Sequence, residues 1–309
     1  MSRAILRASL ALGLVALCGT AAFGQEKVLE KITQALPEKA PAQPKQPRKI
    51  LIYSKTAGFR HGSIPVGIKA ISMMGDKTGA YTALASEDES MFEADKLKAF
   101  DAVFMLNTTG DCLKPKIEDV KDKAQVERAL QREELLKKNL EDFVAGGKGL
   151  IGVHSATDTY HDKRGPFVVE WPAYGKMMGG AFVSHPWNSN SKVAIKNIDP
   201  KHPLNAAFDG MDFEIVDEIY QFRDDTALPN ERRYLLMLDP AKRDRGNRKD
   251  GFYAISWLSV YGKGRNFYCS LGHNDHIYWN PMVLKHYLAG IQYALGDLQA
   301  DATPRDNIK

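Results

Sequence analysis

Cysteine is scarce in this chain, with only Cys18, Cys112 and Cys269 among 309 residues. So few thiols exclude a disulfide-stapled scaffold. A surplus of one charge is missing too. The 42 basic and 38 acidic side chains leave a formal net charge of +4. Removing residues 1–24, which hold Arg3 and Arg7 and no acid, leaves 40 minus 38, or +2. That balance argues against nucleic acid or an anionic membrane surface as the partner. No apolar run after the first 24 residues is long enough to span a bilayer. There is no H-E-x-x-H motif, and no internal repeat.

The first 24 residues read as a secretory signal. Arg3 and Arg7 give a positive start, Ser9 to Cys18 is mainly apolar, and Ala22-Phe23-Gly24 is a small-x-small site before Gln25. Cleavage after Gly24 would send the protein to the periplasm or outside the cell. A lipoprotein anchor at Cys18 is disfavoured by bulky Leu17. Cys112 and Cys269 then remain, and are expected to stay unpaired, since a bridge needs two close, well-aligned backbones.

Residues 25–48 carry Lys, Gln and Glu with Pro37, Pro41, Pro44 and Pro47. This composition predicts a disordered arm. Residues 49–297 alternate apolar runs with helical periodicity and form the folded domain, and 298–309 are a tail. Strands are expected at 48–53, 81–85, 102–106 and 150–153. Helices are expected over 64–79 and 126–145, with a short helix or turn at 95–100 and a charged insertion at 114–124. That alternation predicts an α/β fold with a mostly parallel sheet flanked by helices. The second half is richer in strands, at 192–198, 213–216, 233–238, 253–259 and 266–270, before a closing helix over 280–295.

Histidine marks the candidate site. Gly149–Asp158 reads G-L-I-G-V-H-S-A-T-D, an apolar strand ending in a polar tip at His154. Ligands of open α/β sheets bind at such carboxyl ends. His61 follows the first strand and His273 the last, His185 lies in a glycine-rich stretch, and Asp217 and Glu218 follow 213–216. His154, His273 and Glu218 are the catalytic candidates. Imidazoles with a carboxylate suit a divalent metal such as zinc, with His154, His185 and His273 as the expected ligands. Lys55, His61, His185, Trp187, Asp217 and Tyr220 are candidate substrate contacts. Trp187, Tyr220, Tyr278 and Trp279 could offer faces to a sugar ring. Adjacent Asp217 and Glu218 make a poor pair for a two-carboxylate glycosidase, because neighbours on an extended segment point to opposite faces.

The segments Ile52–His61, Gly149–Asp158, Gly179-Gly180-x-Phe182-x-x-His185-Pro186, Asp217–Tyr220 and Ser270–His273 together resemble the ThuA-like (trehalose utilisation) family. The resemblance covers about residues 49–297. It implies a flavodoxin-like fold of the class I glutamine amidotransferase type. Members of that superfamily carry a nucleophilic cysteine in G-x-C-x-G, whereas this chain has Gly152-Val153-His154-Ser155-Ala156. Without a thiol there, no glutaminase activity is expected. The resemblance also implies a small carbohydrate as ligand, in catabolism of trehalose-type disaccharides or their keto forms. The expected function is an isomerase, lyase or hydrolase using acid/base chemistry. The alternative is a carbohydrate-binding module or a non-catalytic partner of a sugar oxidoreductase.

Overall fold

The computed structural model describes residues 24–117, 119–160 and 171–305. The expected signal segment, including Cys18, lies outside these apart from Gly24, as do the last four residues of the tail.

The expected α/β architecture is present. One sheet of nine strands has the order β2-β1-β3-β4-β11-β10-β9-β6-β7. Its first five strands are mutually parallel: β2 (Thr82–Ser86), β1 (Lys49–Tyr53), β3 (Ala102–Leu106), β4 (Gly149–Val153) and β11 (Gly264–Cys269). β3 and β4 are buried throughout, which explains their uninterrupted apolar sequences. β2 closes the edge and stays largely exposed. β11 is the junction between the two halves of the sheet. It pairs in parallel with β4 and in antiparallel with β10 (Ala254–Tyr261), through a tight turn that sets Tyr261 opposite Gly264. Beyond it β9 (Arg233–Leu238), β6 (Lys192–Asn197) and β7 (Phe213–Val216) continue in antiparallel order.

Helices cover both faces. α2 (Ile64–Thr78) and α6 (Pro281–Ala294) bury Ile71, Met74, Leu284 and Ile291 against one face. α4 (Lys123–Ala145) and α5 (Pro172–Met178) bury Leu136, Leu140, Tyr174 and Met177 against the other. No helix among the described residues is long and apolar enough to cross a membrane. Cys112 and Cys269 are free and buried.

One expectation needs correction. The arm at 25–48 is ordered where a disordered one was expected. Residues 24–35 form helix α1, and Ile32 and Leu36 fall one helical turn apart and are buried. After it, Ala42 donates its N–H to Gln292 Oε1 and accepts from Gln292 Nε2, at 2.9 and 2.7 Å. Arg48 pairs with Asp297 at 2.6 Å. The prolines prevent regular structure there, yet side chains at the end of α6 fix the backbone. β4 is followed at once by a 3-10 turn, His154–Asp158. Two further strands, β5 (Phe182–Trp187) and β8 (Ile219–Phe222), pair with each other outside the main sheet. Their register is irregular and one contains Pro186, so neither shows a clean alternating pattern.

Candidate functional site

The parallel strands end side by side, and their tips build the site. β4 delivers His154 at its carboxyl end in a left-handed backbone conformation, φ 49°. A non-glycine residue rarely adopts it, so the surroundings must hold it. Tyr268 Oη donates to the His154 carbonyl at 2.6 Å, and Thr157 Oγ1 also donates to it. The tip of β11 is held from several sides. Asp217, fully buried, accepts N–H groups from Gly272 at 2.7 Å and Asn274 at 3.1 Å, with a longer contact from His273 at 3.4 Å. The Gly272 carbonyl accepts from Ser63, Asn107 and Tyr278. Gly272 itself sits at φ 139°, where a Cβ would lie 2.6 Å from Val153 Cγ1. Sequence reasoning left Asn107 and Ser63 out of this bracing. The available signal was an asparagine at the tip of β3, where it takes φ 50°.

These braces bring His61, His154, Glu218 and His273 together. One donor atom from each lies within 4.8 Å of the other three. His154 Nδ1 is 2.9 Å from the Ser270 carbonyl. A carbonyl only accepts, so Nδ1 carries the hydrogen, and in the neutral ring Nε2 is the nitrogen with the lone pair. That Nε2 is buried without a hydrogen-bond partner and lies 3.5 Å from Glu218 Oε1. His273 Nδ1 is 3.2 Å from the same oxygen, close as an ion pair yet not aligned as a hydrogen bond. His61 Nδ1 contacts Ser155 Oγ at 3.3 Å, and its ring meets those of His154 and His273 edge-on.

The electrostatics follow from this crowding. Burial, then repulsion from His154 and His273, pushes His61 down to about 2. Burial alone would raise the Glu218 carboxyl, but His154 and His273 hold it well below the usual carboxylate range. His273 moves up despite burial, because Glu218 and Asp217 favour its charged form. Burial raises Asp217, against His154 and its backbone donors.

This donor set fits a divalent metal. Three imidazoles and a carboxylate are ligands that zinc takes. Donors about 2.0–2.2 Å from a tetrahedral ion lie roughly 3.3–3.6 Å apart, so a pair as wide as the 4.8 Å bound would close by more than an ångström on binding. Two ring nitrogens, His154 Nε2 and His273 Nδ1, lack a hydrogen-bond partner, and the His154 Nδ1 contact is of the kind that orients a metal-binding histidine. Of the expected ligands His154, His185 and His273, the first and last lie in this group. His61 and Glu218 join the group, and His185 stands at its mouth, 54% exposed, with Nδ1 3.6 Å from Glu218 Oε2.

Other expected contacts are used elsewhere. Lys55 pairs with Glu89 at 2.8 Å. Trp187 is buried against Tyr253, and its indole N–H donates to Asp244 at 3.0 Å. Tyr220 is buried with its ring 4.5 Å from that of His154, so it lines the cluster from below. Asp217 acts on the β11 tip.

The pattern of the ThuA family, described as trehalose utilisation, matches residues 49–294, and the chain belongs to that family. Among the solved structures that resemble it are two ThuA-like proteins. A ThuA-like protein from Bacteroides uniformis is 20% identical with a TM-score of 0.58, over 82% of this chain and 93% of that one. A ThuA-like protein from Parabacteroides merdae is 15% identical with a TM-score of 0.52, over 85% and 96%. At these identities the likeness shows a shared fold. No curated protein matches the chain.

Proposed function

We propose that the protein is an exported enzyme of sugar catabolism, performing acid/base chemistry on a sugar or keto-sugar with a divalent metal such as zinc. The observation that carries this reading is the convergence of His61, His154, Glu218 and His273, with the His154 Nε2 lone pair left free inside it. When bound, the metal would polarise a substrate oxygen and acidify the adjacent C–H. The chain supplies the rest. Ser270 fixes the His154 ring, Asp217 fixes the His273 loop, and Tyr220 keeps water from the inner side of the cluster. His185, half in water and next to Glu218, is placed to pass a proton between the site and solvent.

Amide hydrolysis through a thiolate has no support. Histidine occupies the tip of β4, and burial pushes Cys112 and Cys269 up to about 12 each. Export rests on the leader pattern at residues 1–24 and the family's sugar association on the name of its pattern.

The test is turnover of 3-keto-trehalose before and after chelation. Product formed by the purified protein, lost with chelator and restored by added zinc, is the expected result. Full turnover in the chelated protein overturns the metal's part. Binding without product under every metal condition favours a carbohydrate-binding module instead.

A further inference from the structure

The loop after β1 carries a side chain that packing does not explain. Phe59 is 65% exposed. Among the described residues, the other strongly exposed large apolar side chains are aliphatic, with Met211 and Val260 the most open. The Phe59 ring meets that of His61 nearly at right angles, with centroids 4.9 Å apart. It therefore stands one ring outward from the cluster.

The loop that presents it is held firmly. Ala57 N–H donates to the Thr109 carbonyl at 2.8 Å, and Gly58 N–H donates to Thr109 Oγ1 at 3.1 Å. The same hydroxyl donates to the Phe59 carbonyl at 2.9 Å. Gly58 lies so close that a Cβ there would come within 3.2 Å of that hydroxyl. The chain thus fixes an apolar ring in water, forgoing the stabilisation that burial would bring.

The aromatic residues that the sequence offered as sugar platforms are occupied. Trp187, Tyr220 and Tyr278 are buried, and Lys31 lies over the Trp279 ring. Phe59 remains as an open aromatic face beside the cluster. A flat apolar face next to convergent polar groups matches a pyranose, which has C–H bonds on one face and hydroxyls around its rim.

We propose that Phe59 is the platform on which the apolar face of a pyranose stacks, while the ring's oxygens meet the His61–His154–Glu218–His273 cluster. The inference rests on the reading of that cluster as the reaction site. It adds the form of the substrate, a cyclic sugar in preference to an acyclic polyol.

The test is an equilibrium titration with saturation-transfer NMR, using α,α-trehalose and, as an acyclic control, sorbitol. Wild type should bind trehalose more tightly and transfer saturation to its ring C–H protons. Phe59→Ala should weaken trehalose by roughly five- to tenfold and leave sorbitol unchanged. Phe59→Tyr should restore the wild-type affinity. Equal weakening of both ligands, unchanged trehalose affinity, or no trehalose binding by wild type would each overturn the platform. Metal content measured on the same samples separates the two readings. A metal-free protein with Phe59-dependent trehalose binding breaks the proposed metal chemistry and keeps the platform.

Discussion

Two buried histidines of this protein show what separates a site from a core. His286, on α6, has both ring nitrogens occupied, with Nε2 2.8 Å from Ser256 Oγ and Nδ1 2.8 Å from the Leu204 carbonyl. Phenylalanine rings of Phe208 and Phe267 enclose it. His154 is equally buried, yet only Nδ1 is occupied, and Nε2 faces the cluster. Burial is common to both. The free lone pair, aimed at other ligand-type groups, distinguishes the second.

The largest effect expected from this contrast is on activity. His154→Asn, which tolerates the left-handed backbone, should lower turnover of 3-keto-trehalose by roughly 10²–10⁴-fold. Its thermal midpoint without metal should stay close to wild type. Normal turnover in this variant would remove His154 from the chemistry. His286→Ala should do the reverse. It leaves the Leu204 carbonyl and Ser256 hydroxyl short of a partner and opens a cavity, costing about 2–4 kcal/mol in denaturant unfolding. Its metal content should be unchanged, and loss of metal there would erase the distinction.

Acid should sharpen it further. Burial lowers His286 from its ordinary 6.5 to about 4. The folded state therefore binds fewer protons than the unfolded chain between those values. The stability involved, about 3 kcal/mol, is complete above pH 6.5 and lost as pH falls to about 4. Urea unfolding of wild type and His286→Ala across this range should show that slope in wild type and a shallower one in the variant. Parallel slopes would assign the acid loss elsewhere. A smaller effect is expected at Asp217, which never touches the cluster's centre but holds the His273 loop. Asp217→Asn should weaken zinc by roughly 10–100-fold in a competition titration, while an unchanged affinity would free that loop from its control.

The sequence made the parallel half of the sheet readable because its buried strands are unbroken apolar runs and its helices are long. Ala102–Leu106 falls where the pattern puts it. The site was legible as a set of histidines at strand tips. Its membership was not, because convergence depends on strand order. His61 enters through β1, and Glu218 through the bend between β7 and β8, which no local pattern places beside β4. His185 sits on the irregular β5, so sequence could not show that it stands at the rim. The arm misled for a different reason. Proline content reports on regular structure, whereas the order of residues 36–48 comes from Gln292 and Asp297, about 250 positions away.

The central claim is that the free His154 lone pair serves a metal. Elemental analysis of purified wild type, His154→Asn and His286→Ala, each dialysed against trace zinc, tests it most directly. The account predicts stoichiometric divalent metal in wild type and His286→Ala, and its loss in His154→Asn. Metal-free wild type after such loading, or equal metal in all three proteins, would contradict it.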